Sequence, residues 1–240
     1  MRSRFLSPDV GPIGFRYERQ VHRGKFPLVS MVFRRKVRRM AHQSTMLALG
    51  TYAPDFALPC VATGKIARLA DFADASALVV IFLCAHCPYV VHVRPELVRL
   101  HADFAGKGVA FVGITSNDIA QYPQDAPAHT AEMAREAGIT FPIHYDETQK
   151  VARAYDAACT PDFYVFDAQR RLAYRGQLDA SRPMRAADRP ARGLQNGADL
   201  RAALDAILAG HAPSPEQKPS IGCNIKWKPG NEPAYFFGHG

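Results

Sequence analysis

The sequence predicts an α/β domain with a mixed central sheet, helices on both faces, and a C-terminal β-hairpin followed by a helix. Three observations support this fold class. Residues 77–115 have the pattern of strand, helix and strand, residues 163–178 have the pattern of an antiparallel hairpin, and residues 199–208 form a closing helix. A strand–helix–strand unit is connected by a right-handed crossover, so we expect its two strands to lie parallel in one sheet.

The strand–helix–strand unit is the clearest part of this pattern. Residues 77–83 are a continuous apolar run, as expected for a central strand buried on both faces. Val109–Thr115 is a second run of this kind. Between them, Pro95 should kink or interrupt the helix. The helix has one apolar face with three- and four-residue spacing, formed by Val90, Val93, Leu97, Leu100 and Phe104.

The second half of the chain also alternates between helices and strands. Asp125 can cap a helix that ends at Gly138. Residues 140–145 form a short strand, and Asp146 with Gln149 makes a capping pair for a helix through residue 156. The hairpin and, after a loop rich in Pro, Arg and Gly at residues 181–197, the last helix complete the domain.

The charge distribution divides the chain into three parts. The net charge is +8, but residues 1–45 carry +9 and the remainder carries −1. We therefore predict a basic leader over residues 1–47, a nearly neutral domain over residues 48–211 and an irregular C-terminal tail over residues 212–240. A neutral domain lacks the basic surface that nucleic acid requires, so no nucleic-acid partner is expected. No apolar run is long enough for a membrane helix, so no membrane partner is expected.

The leader does not have the layout of a secretory signal. Its apolar stretch, residues 26–33, contains Pro and Ser and precedes its basic cluster, residues 34–39, whereas a signal peptide has its charges first. An Arg-rich, acid-poor segment is also typical of transit peptides. We favour a disordered leader, or translated sequence upstream of a start at Met40 or Met46, because this composition cannot form a core. Without an export signal, we expect a cytoplasmic, reducing location, where a cysteine pair is more often catalytic or metal-binding than structural.

The chemistry is predicted to centre on Cys84-Ala85-His86-Cys87, where the first buried strand meets its helix. Unpaired N–H groups and the positive end of the helix dipole favour a thiolate at this position. We expect Cys84 to be the exposed, attacking thiolate and Cys87 to be the more buried resolving thiol. His86 can tune the pair by carrying positive charge or donating a hydrogen bond toward Cys84. The alternative is an exposed imidazole with little effect.

The strand–CxxC–helix unit, together with Thr160-Pro161 before the hairpin, resembles the thioredoxin superfamily. In that superfamily the proline is cis and packs against the active disulfide. Residues 55–58 and 141–143 resemble the AhpC/TSA (redoxin) branch, and the motif combined with residues 160–163 and 222–227 resembles a peroxiredoxin-like group of that branch. The resemblance covers about residues 48–230. It implies a thiol–disulfide oxidoreductase that acts on protein dithiols or disulfides, or on a small-molecule thiol, without a cofactor.

Departures from these families decide between two activities. In peroxiredoxins the peroxidatic cysteine is preceded at three residues by Thr or Ser, and an Arg enters from the strand before the hairpin. Cys87 aligns with the peroxidatic position here, but Cys84 takes the Thr place and Pro161 takes the Arg place. Disulfide exchange is therefore favoured, with thiol peroxidase activity through Cys87 as the alternative. Thioredoxin is not matched either, because Leu83 replaces its Trp and Leu78 replaces its buried proton-accepting carboxylate.

The other cysteines leave several possibilities open. Cys159 stands two residues before Pro161, so it should lie near the pair, either as an additional redox thiol or as a small buried residue. Cys223 lies in the tail, where it could resolve an oxidised cysteine or take no part in the chemistry. Cys60 is expected to be incidental.

A further alternative is a non-enzymatic module that binds copper or zinc. Copper would use the CxxC pair with a remote histidine, for which His92 and His101 are available. Structural zinc sites contain two close ligand pairs, and the sequence has one. No metal is therefore predicted.

Overall fold

The computed structural model describes residues 41–183 and 194–237. The α-helices of this part are α1 (Pro88–Phe104), α2 (Pro127–Ala137), α3 (Lys150–Ala154), α4 (Ala198–Leu208) and α5 (Ala234–Phe237). The strands are β1 (Ala41–Gln43), β2 (Ala57–Pro59), β3 (Ile66–Arg68), β4 (Ala77–Phe82), β5 (Val109–Thr115), β6 (Ile143–Tyr145), β7 (Cys159–Thr160), β8 (Asp162–Phe166), β9 (Leu172–Gly176) and β10 (Ile221–Asn224).

The central sheet has the strand order β6-β5-β4-β8-β9. β4, β5 and β6 are parallel, and β8 and β9 join antiparallel as the hairpin. β4 is the middle strand and is buried along its whole length. This arrangement places the end of β4, where the CxxC motif begins, between β5 and the residues that precede β8.

The two faces of β4 pack against different elements. Val79 and Ile81 belong to a core that includes the apolar side chains of α1, α2 and α4. Leu78, Val80 and Phe82 belong to a second core that contains α3 and the tail residues Ile225 and Trp227. The mixed sheet with helices on both faces confirms the predicted fold class.

Two helices differ from their predicted form. α1 is continuous through Pro95, which removes only one backbone donor while the apolar face on either side stays buried. α2 begins at Pro127 and not at Asp125, since proline suits the first helical position and the Asp125 carboxylate is bound elsewhere.

The capping pair before α3 also works differently from the prediction. Gln149 is the residue before the helix, with a positive φ of 61°, and its side chain makes no cap hydrogen bond. Asp146 accepts the N–H of Ala152 at 2.9 Å instead. α3 ends at Ala154, two residues before the predicted end.

Regular structure extends past both predicted domain boundaries, at residues 47 and 211. A second sheet with the order β1-β10-β7 joins residues 41–43, assigned to the leader, to residues 221–224, assigned to an irregular tail. Strands of three or four residues that contain Gly, Cys and Asn show no periodicity in the sequence, which is why they were not predicted. Residues 1–40, and residues 184–193 of the predicted loop, lie outside the described residues.

Among the helices of residues 41–183 and 194–237, none has the length and apolar character needed to cross a membrane.

Candidate active site

The two cysteines of the motif lie where β4 ends and α1 begins. Cys87 is the N-cap residue of α1, and Cys84 lies two residues beyond the end of β4. Cys84 and Cys87 are 1 % and 0 % exposed, so the prediction of an exposed Cys84 is wrong for this structure. Both are thiols, as are the other three cysteines.

The residues before the hairpin cover the cysteine pair. The Thr160–Pro161 peptide bond is cis, as the resemblance implies. The Thr160 hydroxyl oxygen lies 3.5 Å from Cys84 Sγ, and the Thr160 carbonyl oxygen lies 3.1 Å from Cys87 Sγ. Thr160 therefore contacts both sulfurs and buries them.

The thiolate is favoured on Cys87 and not on Cys84. Hydrogen bonds from Cys223 and Cys84, with further donors from the Thr160 hydroxyl and the Val90 N–H, lower the pKa of Cys87 against the effect of burial. The hydrogen bond donated to Cys87, burial and the negative charge of Asp125 raise the pKa of Cys84.

One contact opposes this assignment of charge. The Thr160 carbonyl favours a protonated Cys87, because it can only accept a hydrogen bond. This carbonyl is one acceptor, whereas several hydrogen-bond donors and the N-terminus of α1 favour the thiolate of Cys87. We therefore place the negative charge on Cys87. This assignment differs from the sequence prediction that Cys84 is the attacking thiolate, and the experiments below distinguish the two.

A buried carboxylate lies beside the motif that sequence analysis had assigned to a helix cap. Asp125 is fully buried and accepts hydrogen bonds from the Ala85 N–H at 3.1 Å and from the Asn117 amide at 2.8 Å. His86 Nδ1 lies 2.8 Å from the same carboxylate. Asp125 is thus a buried carboxylate beside the motif, although the position of thioredoxin's buried carboxylate is occupied here by Leu78. The only sequence signal was an Asp followed closely by a Pro, which is ambiguous.

His86 is held by two contacts rather than projecting into solvent. Its ring is parallel to that of Tyr122, with the centroids 6.3 Å apart, while Nδ1 faces Asp125. A ring nitrogen of His86, Cys84 Sγ and a carboxylate oxygen of Asp125 all lie within 4.8 Å of one another. His86 is therefore near Cys84, but Asp125 fixes its orientation.

Arg94 of α1 places a positive charge near Cys84 and Cys87. Arg94 donates a hydrogen bond from Nη2 to the carbonyl of Ala85. Burial lowers the pKa of Arg94, and negative charge on Cys84 or Cys87 opposes this effect. The guanidinium therefore lies close enough to stabilise a thiolate. Sequence analysis missed Arg94 because a single Arg at this place in a helix has no distinguishing pattern.

The two additional cysteines occupy different positions. Cys223 is the register partner of Thr160 across β10 and β7, and hydrogen bonding with Cys223 lowers the pKa of Cys87. Cys159 is fully buried, with its sulfur 3.7 Å from the carbonyl oxygen of Pro161, and burial raises its pKa well above the usual value. The backbone of Cys60 forms an isolated antiparallel β-bridge with that of His144, in the edge strand β6 of the central sheet.

The histidines considered for copper do not join the cysteine pair. His92 pairs with the hydroxyl of Ser181 at 2.9 Å, and His101 pairs with that of Thr140 at the same distance. Among the described residues, one group of three has ligand geometry for a metal, namely Cys84, His86 and Asp125. Because the Asp125 oxygens already accept hydrogen bonds from Ala85 and Asn117 and pair with His86, the group is better explained as a hydrogen-bond network.

Comparison with known proteins places this geometry in a family. The profile of the AhpC/TSA family matches residues 49–175, more than half of the chain. The chain belongs to the AhpC/TSA family. No curated protein matches this AhpC/TSA-family chain.

Solved structures share the fold. An uncharacterised conserved protein from Geobacillus kaustophilus is 53 % identical, with a TM-score of 0.73, over 79 % of this chain and 97 % of its own. A hypothetical protein from Sinorhizobium meliloti is 45 % identical, with a TM-score of 0.73, over 78 % of this chain and 99 % of its own. A protein from Chlorobium tepidum described as a putative thiol:disulfide interchange protein DsbE is 18 % identical, with a TM-score of 0.52, over 68 % of this chain and 99 % of its own. At that identity the likeness establishes the thioredoxin fold of this AhpC/TSA-family protein and no more.

Proposed function

We propose that this protein is a thiol–disulfide oxidoreductase that works through the Cys84/Cys87 pair. The observation that carries the proposal is the position of the two sulfurs: both lie at the junction of β4 and α1, and Thr160 contacts both of them. A thiolate next to a thiol is the arrangement that disulfide exchange requires, because one sulfur attacks and the other resolves. Membership of the AhpC/TSA family supports the same class of chemistry.

The first step uses the sulfur that holds the negative charge. The Cys87 thiolate attacks one sulfur of a substrate disulfide, forming a mixed disulfide and releasing the other substrate sulfur as a thiolate. Arg94 and the N-terminus of α1 lower the cost of holding this charge before the attack. Cys84 is not the nucleophile in this scheme, because its hydrogen bond to Cys87, its burial and the charge of Asp125 all raise its pKa.

The second step requires Cys84 to lose a proton. Asp125 is placed to accept it, because its carboxylate lies within 4.8 Å of Cys84 Sγ and its orientation is fixed by Ala85 and Asn117. The resulting Cys84 thiolate attacks Cys87, the Cys84–Cys87 disulfide forms, and the substrate leaves as its second thiolate. The substrate is reduced by two electrons and the pair is oxidised by two, so the exchange balances. Run in reverse, it oxidises a dithiol.

The substrate class follows from this chemistry. Disulfides of proteins and of small-molecule thiols both present the sulfur that Cys87 attacks. Because Thr160 covers both sulfurs, reaction requires local opening of the cis-proline loop or the motif. Compact disulfides should therefore react faster than bulky folded ones.

Peroxide reduction is the second candidate, and Arg94 is the observation that favours it. The Cys87 thiolate could attack the O–O bond of a peroxide, giving a sulfenic acid and an alcohol or water, after which Cys84 would form the disulfide and release water. The cation that sequence analysis found missing at Pro161 is present from α1. Cys84 still occupies the place of the peroxidatic Thr or Ser, so we rank this activity second.

The test is to react the reduced protein with oxidised glutathione and to map adducts by mass spectrometry. In Cys84→Ser, glutathione should be found on Cys87. In Cys87→Ser, adduct on Cys84 should form no faster than on an unfolded control peptide. Turnover with insulin as the disulfide substrate should be lost in Cys87→Ser, be reduced in Cys84→Ser, and be kept in Cys60→Ser, which removes a cysteine at the sheet edge. Undiminished turnover in Cys87→Ser would contradict the proposal.

A further inference from the structure

Cys223 lies against the cysteine pair although it is 136 residues from Cys87 in the sequence. It stands opposite Thr160 in the β10–β7 pairing, and Thr160 is the residue that contacts both motif sulfurs. Its side chain packs against the core cluster that contains Cys84 and Cys87. As the direct cross-strand partner of Thr160, Cys223 presents its side chain on the same face as Thr160, and hydrogen bonding with Cys223 and with Cys84 lowers the pKa of Cys87.

The tail is built to hold Cys223 in this place. β10 pairs with β1 on one side and β7 on the other. Gly222 allows a close approach, since a Cβ at that position would lie 1.9 Å from the carbonyl oxygen of Thr160. The next residues are also anchored, because the Lys226 N–H donates to Asn117 at 2.9 Å and the Lys228 N–H donates to Gln149 at 2.8 Å.

Cys159 does not compete for this role. Cys159 and Thr160 are consecutive in β7, so their side chains point to opposite faces, and it is Thr160 that contacts the pair. The Cys159 sulfur lies nearest the carbonyl oxygen of Pro161 in a fully buried site. A dry site of this kind disfavours the thiolate needed for exchange.

We infer that Cys223 is a second resolving thiol for Cys87, an inference that rests on the proposed function. When Cys87 carries a mixed disulfide, the Cys223 sulfur attacks Cys87, the Cys87–Cys223 disulfide forms, and the bound thiol leaves with the proton of Cys223. When the Cys84–Cys87 disulfide is already present, the same attack releases Cys84 and transfers the proton to it. Both reactions are exchanges, so they consume no oxidant.

The consequence is that oxidising equivalents can be held in two places. A Cys84–Cys87 disulfide stays within the motif, whereas a Cys87–Cys223 disulfide links the N-terminus of α1 to β10 and restores a Cys84 thiol. This second oxidised form would let the protein release a substrate that stays bound to Cys87 in a mixed disulfide when Cys84 does not attack that disulfide.

The inference is tested by the fate of glutathione on Cys87. Cys84→Ser and Cys84→Ser/Cys223→Ser are reacted with oxidised glutathione, quenched with acid at intervals, and mapped by peptide mass spectrometry. In Cys84→Ser, the Cys87 adduct should decay into a Cys87–Cys223 disulfide. In the double variant the adduct should last about 100-fold longer or more, since the neighbouring thiol has been lost. Cys84→Ser/Cys60→Ser is the matched control and should behave as Cys84→Ser does.

The outcomes separate the two proposals. Equal adduct lifetimes with and without Cys223, and no Cys87–Cys223 peptide, would overturn the inference and leave the proposed function standing. Failure of Cys87 to form an adduct in any variant would overturn both. A Cys87–Cys159 disulfide in the double variant, formed at the rate seen for Cys223 in Cys84→Ser, would also overturn the inference, because burial would then not discriminate between the two thiols. Circular dichroism of each variant verifies that it is folded.

Discussion

The motif at residues 84–87 and the tail at residues 221–228 meet at the same sulfur but are positioned in different ways. The motif is placed by the continuous chain from β4, which is buried along its whole length, into α1, which buries one apolar face. The tail is placed by short strands and by side-chain hydrogen bonds from distant residues such as Asn117 and Gln149. Changes in the motif should therefore alter chemistry with little effect on folding, whereas changes around the tail should alter stability as well.

The largest effect on stability is expected at Asp162, which lies under the tail. Burial raises its pKa to about 7 from 3.8, while hydrogen bonds from Tyr164, Ser44 and Ser220 oppose the rise. The folded pKa exceeds the unfolded one, so this group's contribution is greatest below about pH 4 and is lost as the pH rises to about 7. That difference corresponds to roughly 4 kcal/mol at most.

Asp162→Asn should remove this pH dependence. Urea denaturation from pH 4 to pH 8 should show the variant gaining free energy of unfolding relative to the wild type as the pH rises. Parallel curves for the two proteins would show that the Asp162 carboxyl does not titrate with a raised pKa in the folded state.

The next effect is expected on the motif side, at Asp125. Asp125→Asn keeps the shape of the side chain but removes the proton acceptor, so resolution by Cys84 should slow by about 100-fold near neutral pH. Formation of the Cys87 adduct should be less affected, because Cys87 already holds the charge. Rapid-quench kinetics with oxidised glutathione separate the two steps. Equal slowing of both steps at every pH would indicate a structural role only.

Gly222→Ala probes how closely the tail approaches the cis-proline loop. The added Cβ would overlap the Thr160 carbonyl, so β10 must move away from β7. We expect a loss of about 2 kcal/mol in the free energy of unfolding, together with loss of the Cys87–Cys223 disulfide in the Cys84→Ser background. The rate of adduct formation on Cys87 should change less, because the motif is held by β4 and α1. Normal Cys87–Cys223 linkage in this variant would show that the close approach is not needed.

The smallest effect is expected at Cys223 itself. Cys223→Ala removes one hydrogen-bond donor to Cys87, so the pKa of Cys87 should rise by roughly one unit. The far-ultraviolet absorbance of the thiolate, followed as a function of pH in a Cys60→Ser background, measures this change. Cys223→Ser retains a donor and should restore most of the original value.

The elements that the sequence predicts correctly are those that carry their own residue pattern. β4, β5 and α1 are long and apolar or periodic, and they place Cys84 and Cys87 at a strand–helix junction without information from elsewhere. Asp125 and Cys223 could not be assigned, because their roles arise from contacts between residues far apart in sequence: 40 positions separate Ala85 from Asp125.

The sequence also does not indicate which of the two sulfurs, Cys84 or Cys87, carries the negative charge. The position of a cysteine at a helix N-terminus predicts that a thiolate forms, but hydrogen bonding from Cys223 and Cys84 favours Cys87 as the sulfur that carries it. Cys223 lies in β10, and a short strand of this kind has no periodic signal in the sequence.

In the proposed mechanism Cys87 carries the charge in the reduced pair. The most direct test is alkylation of the reduced protein by iodoacetamide over a range of pH, with Cys84 and Cys87 quantified separately by peptide mass spectrometry. Cys87 should be modified in preference to Cys84 at mildly acidic pH, and Cys84 should react only as the pH rises well above neutral. Preferential modification of Cys84 at acidic pH would contradict this mechanism.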